Sequence, residues 1–461
     1  MRYKVALTVV GLLLSAVCAG GAEHALTETD CVDRALAQNP EIKFARQVLN
    51  EARGLVMEAG SDSYPLLTTK FSYNRYDRGF DVPKELGSQF LPQESGQAEL
   101  HLRQYIFRGA KIGAVKRAAR YSKQIADLGW ELAQISVAHH AAAAYFDTLL
   151  AAEVLKVQKY GFVLASRHYD EVKTLVEAGE APRFDELRAK VRLGNVKADL
   201  IQAEEDYKSS VVALYEVMGE TQQTSIDLER ALFYRRKECD LNICLETAFR
   251  RRLEPQRDEL YITAQKEYGR AIRSENWPEL TLEGTATRER TNILEGGGTG
   301  LTLWDIGLSV SFPLFDGWRT KGRHLQQEAE ILRAVHTAEL TRLAIERQVR
   351  DAYLTLIQAR EEVEARRLTV GEAEEGRRLA EVRYRAGAAR ELEVKDAQGE
   401  LTQAKRDYAQ AVHRHLIAVL DIERASGVFL DRYRKGDKGT YLGEEPDSTP
   451  LRNDVEDQAE Q

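Results

Sequence analysis

Residues 304–317 read WDIGLSVSFPLFDG, and this stretch decides the fold. Ile306, Leu308, Val310 and Phe312 alternate strictly with Asp305, Gly307, Ser309 and Ser311. A period of two belongs to a strand, so one face is apolar and the other polar. Gln97 to Ile106 alternates likewise, with Ala98, Leu100, Leu102 and Ile106 on one face and Glu99, His101 and Arg103 on the other. Leu280 and Leu282 alternate with Thr281 and Glu283. Strands are expected at about 66–77, 97–107, 279–290 and 304–315, near the roughly 9–11 residues a tilted strand needs to cross a bilayer. A small sheet packed on a helix in a soluble protein would alternate too, but it could not cover the long helices that flank these strands.

The stretch ends on Phe315-Asp316-Gly317, which recurs 208 residues earlier as Phe107-Arg108-Gly109. Ala144-Tyr145 recurs as Ala352-Tyr353, Ala178-Gly179 as Ala386-Gly387 and Gly219 as Gly427, all at the same offset. Upstream, Cys31 to Pro65 and Cys244 to Pro278 are equally spaced. Two such long repeats are not a solenoid, which needs several short units.

Each half has the same order. A capped helix interrupted near Pro40 leads to Pro65, two strands follow, and then a Pro-free helical stretch runs from Ala110 to about Val176. That stretch would be about 100 Å long at 1.5 Å per residue. Gly179 and Pro182 make a turn, and a second helix continues to Met218. The second half repeats this with a helix from Trp318 to Arg385, a turn at Gly387 and a helix from Glu391 to Ala425. These turns are where the longest helices reverse, so Gly179 and Gly387 are expected at the docking tips. The expected division is a signal peptide over 1–22, repeats over 23–219 and 244–427, a linker over 220–243 and an acidic tail over 428–461.

The 461 residues are 43% apolar and 30% charged, which excludes a disordered or collagen-like chain. Arg2 and Lys4, the apolar run Val5 to Val17 and Gly20-Gly21-Ala22 read as a secretory signal. Ser15 stands where a lipoprotein signal wants Leu, which disfavours lipidation at Cys18. Beyond that signal no apolar run approaches a spanning helix, which leaves a β-barrel open. The net charge of −8 is concentrated in the tail after Gly436, and no basic face points to nucleic acid. An exported chain permits a disulfide among Cys31, Cys239 and Cys244, and an odd count leaves one thiol over.

Other chemistry is weak. Glu295-Gly296-Gly297-Gly298-Thr299-Gly300 lacks the Gly-Lys-Ser/Thr ending that cradles phosphate and reads as a loop. His139-His140 diverge around a helix and read as polar lumen or surface residues. No metal site, cofactor or catalytic constellation is expected, so the chain is not read as an enzyme.

The combination resembles the TolC-like outer-membrane efflux and secretion channels, the outer membrane factors, from Thr27 to Gly427. The residues carrying it are Ala35-Leu36 with Asn39-Pro40-Glu41, Tyr64-Pro65, Phe312-Pro313-Leu314-Phe315-Asp316-Gly317, the Ala-Tyr pairs, and the Ala-Gly turns followed by Asp185 or by Glu393, Val394 and Asp396. The resemblance implies a mainly α chain with a small β part. Three copies would form an α-helical barrel in the periplasm and a 12-stranded β-barrel in the outer membrane of a Gram-negative-type cell. It implies passive conduction of substrate in efflux or type I secretion, with a periplasmic adaptor (membrane fusion) protein and an inner-membrane transporter as partners and outer-membrane lipid around the barrel. It also implies a periplasmic gate. Acidic side chains at Asp185, Glu393 and Asp396 would ring the axis, and polar contacts of Tyr384 would hold the mouth closed. The chain departs from the family at Tyr105, where its other half has Pro313, and at Ala389, where a tethering Arg is expected and the adjacent Arg390 can substitute. A periplasmic adaptor or a structural coiled-coil protein is the alternative. The first normally has one helical hairpin between small β-domains, and the second shows sustained heptads and no such strands.

Overall fold

The computed structural model describes residues 26–75, 94–221, 226, 228, 232–292 and 299–434. The signal segment, Cys18, most of the glycine-rich loop and the acidic tail beyond Arg434 lie outside the described residues. The chain is mainly helical with one small sheet. Its order is α1 (Glu28–Gln38), α2 (Pro40–Gly60), β1 (Leu66–Arg75), β2 (Glu94–Arg108), α3 (Lys111–Glu177) and α4 (Arg183–Met218). Then come α5 (Leu241–Arg251), α6 (Leu253–Arg273), β3 (Glu279–Asn292), β4 (Thr299–Ser311), α7 (Arg319–Arg385), α8 (Glu391–Ala425) and the short α9 (Asp431–Arg434).

The duplication in the sequence is a duplication of backbone. Both α3 and α7 have 67 residues, both α2 and α6 have 21, and both α1 and α5 have 11. Among the described residues, the six glycines with positive φ fall into three pairs at the repeat offset: Gly109 and Gly317, Gly179 and Gly387, Gly219 and Gly427. At Gly219 the requirement is double. Its φ is +72°, and an added Cβ would lie 2.9 Å from the Gln38 carbonyl oxygen. The Asn39 side-chain amide donates to the Val217 carbonyl at 2.7 Å, so the end of α1 is tied to the end of α4.

The strands form one antiparallel sheet in the order β1-β2-β3-β4. Its register sorts the side chains by face, because residues directly opposite share a side. Leu67, Leu102, Gly284 and Ile306 make one row, and Thr69, Leu100, Ala286 and Trp304 the next on that face. Thr68, His101, Thr285 and Asp305 make a row on the polar face, where Arg103 and Glu283 lie 3.5 Å apart. A shift between Tyr105 and Phe107 places Phe107, not Ile106, opposite Leu280. The alternation in the sequence continues through Ile106 because a bulge leaves no mark in hydropathy. Two strands also begin earlier than the alternation suggested, β2 at Glu94 and β4 at Thr299, since Ser95, Gly96 and Gly300 carry no apolar period.

Contacts divide the chain into two compact units, each drawing on both halves of the sequence. One takes its described residues from 1–43, 133–251 and 345–461, the other from 44–132 and 252–344. The first is a set of helical seams. Ile345, Val349, Leu356 and Ala359 of α7 pack with Ala418, Val419, Ile422 and Ala425 of α8 and Ala248 of α5. The second holds the sheet, α2, α6 and the early turns of α3 and α7. There Arg108 pairs with Asp62 and Glu279, each at 2.9 Å, and Arg117 reaches the buried Glu267 at 2.9 Å. Among the described residues, no helix is long and apolar enough to cross a membrane.

Candidate functional site: the hairpin turns and the acids beside them

Both long hairpins turn by the same device. In the first, Gly179 N–H donates to the Val176 carbonyl and Glu180 N–H to Leu175; in the second, Gly387 donates to Tyr384 and Ala388 to Arg383. These paired bonds are a Schellman closure, which satisfies the last helical carbonyls and requires a left-handed residue at the turn. Gly179 has φ +80° and Gly387 φ +70°, with nothing within 4 Å of where a Cβ would stand. The turns are open on the surface of this chain.

After each turn a helix starts with acids. Asp185 N–H donates to the Pro182 carbonyl at 2.9 Å, and Asp185 and Glu186 occupy the first turn of α4. Arg390 caps α8 through its backbone, with Glu393 N–H donating to the Arg390 carbonyl at 3.0 Å. The Glu393 carboxylate lies 3.3 Å from Arg383, so its cation is an arginine before the turn rather than Arg390. Asp396 is exposed one helical turn further on. The two carboxylates, three apart, share a face of α8.

Tyr384 is half-buried with its ring 5.9 Å from that of His168, edge to face. Burial raises its phenol above the ordinary value, and the negative charges of Asp185, Glu391 and Glu171 add to the rise. The structure thus brings Tyr384 into the field of Asp185, while Glu393 and Asp396 are exposed on α8.

The structure adds Glu391, which the sequence marks only as the start of a helix. As the first residue of α8 it reads as a helix-dipole acid, yet it is buried. Its Oε1 is 3.4 Å from His168 Nε2 on α3, and its Oε2 is 4.0 Å from Arg188 on α4. His168 holds the carboxyl below its ordinary range against the opposing effect of burial, and Arg188 and Lys395 add to the lowering. Finding this pair needed the register between α3 and α8, which no local pattern carries.

The same register explains His139, which is buried rather than a lumen or surface residue. Its Nε2 pairs with Asp421 Oδ1 at 2.9 Å, while Nδ1 faces the Arg424 guanidinium at 3.4 Å. Arginine can only donate, so Nδ1 accepts and Nε2 carries the proton. Eight residues along, the roles reverse: Asp147 on α3 meets His413 on α8 at 2.7 Å. Three histidine–carboxylate pairs therefore cross the seam between α3 and α8. Among the described residues, no group of three or more His, Cys, Asp or Glu is placed to hold a metal ion.

The fold has known counterparts. The chain is 23% identical to the outer membrane protein TolC of Escherichia coli K12 over 409 residues, covering 87% of this chain and 82% of that one. It is 23% identical to the cobalt-zinc-cadmium resistance protein CzcC of Cupriavidus metallidurans over 441 residues, 92% and 96% of the two chains. Among solved structures, the Campylobacter jejuni CmeC outer membrane channel superposes with a TM-score of 0.73 at 17% identity, over 87% of this chain and 86% of that one. The open state of the Neisseria gonorrhoeae MtrE outer membrane channel gives 0.72 at 18% identity, over 87% and 89%. The model of the outer membrane efflux protein family matches residues 31–220 and 245–428, one segment in each half, and this chain belongs to that family.

Proposed function

We propose that three copies of this chain form the outer-membrane exit channel of a tripartite efflux or type I secretion system. The carrying observation is the family match across both halves, together with a sheet whose outer edges, on β1 and β4, are unpaired among the described residues. A sheet edge cannot stand bare in lipid, so the barrel must close between copies. Two copies give eight strands, whose interior fills with side chains, and three give twelve, enough for a pore. β2, β3 and β4, with 15, 14 and 13 residues, are long enough to cross.

The apolar face holding Leu102, Ile306 and Leu308 then faces lipid, and the face holding His101, Thr285 and Asp305 faces water. The helical hairpins form the periplasmic duct. Its mouth is lined by Asp185, Glu393 and Asp396 and restrained by Tyr384, with Arg390 beside the turn. The tips at Gly179 and Gly387 meet a periplasmic adaptor protein, which links the channel to an inner-membrane transporter. The chain acts as a passive channel, in keeping with its family, rather than as an enzyme. That family also favours the channel over a periplasmic adaptor or a structural coiled coil.

Fractionation with cross-linking tests this. The protein should require detergent, sediment with the outer membrane and cross-link to a trimer that dissociates only on heating. Soluble periplasmic monomer would overturn the reading.

A further inference from the structure

Two cysteines meet at the start of α5. Asp240 caps this helix: its Oδ1 accepts from Asn242 N–H at 2.8 Å and Ile243 N–H at 3.2 Å, and its carbonyl accepts from Cys244 N–H at 3.0 Å. Cys239 therefore stands one residue before the cap, and Cys244 at the fourth helical position. Those two positions form the hydrophobic staple of a helix start, which brings their side chains together. Here both members carry sulfur, and the two thiols are hydrogen-bonded to each other. Both are half-buried and pack against the cluster of α5, α7 and α8.

The surroundings divide the chemistry between them. The hydrogen bond from Cys239 lowers the Cys244 thiol to about 6, against the effect of burial. The positive end of the α5 dipole favours a thiolate there. Cys239, the donor in that bond, is raised. Cys31 is fully buried, and burial pushes it up to about 12, so it is inert. The pair is thus an attacking thiolate beside a resolving thiol.

We propose that Cys239 and Cys244 are an oxidisable pair that closes to a disulfide in the mature protein. This rests on the proposed function to the extent that a periplasmic duct lies in an oxidising compartment. The oxidant is a protein or small-molecule disulfide. Cys244 thiolate attacks one of its sulfurs, forming a mixed disulfide and releasing the other sulfur as a thiolate. Cys239 gives up its proton and attacks the Cys244 sulfur, displacing the second. Two protein thiols and one disulfide become one protein disulfide and two thiols.

The bridge fixes the end of an irregular segment, residues 232–240, that contacts α8. Arg235 carbonyl accepts from His415 Nε2 at 2.9 Å, the Tyr234 ring stands 4.9 Å from that of His415, and Lys237 lies 3.7 Å from Glu423. Each of these contacts is individually weak, and the disulfide would add a covalent tie from the end of the segment to the start of α5.

The test uses the full chain exported with its own leader. Protein purified from membranes without reductant is alkylated in denaturant and digested with trypsin. The peptide Glu238–Arg250, which carries both cysteines, should be two hydrogens lighter than its reduced form and unlabelled, while Cys31 is labelled. Labelling of both Cys239 and Cys244 without prior reduction would overturn the proposal. A second arm does not depend on location. The purified protein, fully reduced and then exposed to oxidised glutathione, should close the internal bridge and keep no adduct. In Cys239→Ser, a stable glutathione adduct should instead remain on Cys244. A persistent adduct on Cys244 in the native sequence, or no reaction, would equally overturn it. Protein found outside the outer membrane that still closes the bridge in this arm would count against the channel and not against the pair.

Discussion

Gly219 and Gly387 share a backbone conformation but not surroundings, and that contrast separates two costs. A non-glycine residue held left-handed costs about 1–2 kcal/mol. At Gly387 this is the whole cost, since a Cβ meets nothing. At Gly219 the Cβ also collides with Gln38. Thermal melts in detergent should show Gly219→Ala lowering the midpoint clearly more than Gly387→Ala; equal losses would mean that α1 yields freely. Because the two tips are open, Gly179→Val with Gly387→Val should leave trimers in the membrane while abolishing export, and retained export would remove these turns from the docking role. His415 supplies a pH term. It is buried, with Nε2 donating to Arg235 and Nδ1 lacking a hydrogen-bond partner, and burial holds it below its ordinary value of 6.5. The unfolded chain takes up this proton at a higher pH than the folded one. The contribution is therefore full above about 6.5 and is lost as the pH falls toward the folded value. Denaturation at pH 7.5 and pH 5 should show a stability difference that shrinks in His415→Phe; an unchanged difference would assign it elsewhere.

At the scale of elements, the two seams of α8 use different cations. Toward α7 the pairs are Arg414–Glu362 at 2.7 Å, Lys405–Glu374 at 3.0 Å and Arg366–Asp407 at 3.2 Å. Toward α3 they are His139–Asp421, His413–Asp147 and His168–Glu391. The first seam joins the two helices of one hairpin; the second joins one hairpin to the other. The exposed Asp147 limits its pair to less than about 1 kcal/mol. The buried Glu391 matters more, since removing His168 leaves its charge without that partner. Its folded value is depressed below the ordinary 4.5, so its contribution is present above that pH and lost as the pH falls through the folded value. Hydrogen exchange in α3 around His168 should quicken in His168→Ala at neutral pH. In Glu391→Gln it should lose its acid-dependent part below about 4.5. Exchange unchanged in both would make the pair incidental. None of the pairings toward α3 was legible in the sequence, because each joins residues more than 200 apart through a register set by packing. The hairpin turns were legible, since a left-handed turn demands glycine at the position itself. The sheet was legible as alternation, but the bulge at Tyr105 to Phe107 was not, because Ile106 preserves the apolar period that the backbone breaks.

At the scale of the whole molecule, the apolar face of the sheet and the two edges of β1 and β4 are the features a single copy leaves unmet. Trp304, Ile306 and Leu308 are each more than 60% exposed in this chain, which a lone soluble protein would not maintain along a strand. In the proposed channel, outer-membrane insertion would cover that face and two further copies would pair the edges. The acids past the turns belong to the same scale: in the proposed trimer, Glu393 and Asp396 would become rings of like charge around a shared axis, which would attract cations into the mouth. The most direct measurement is planar-bilayer recording of the purified trimer. The channel account predicts discrete conductance steps with a cation-selective reversal potential in an ion gradient. Cation selectivity and block by multivalent cations should both fall in Glu393→Gln with Asp396→Asn. Membrane-inserted protein that passes no current would contradict the account.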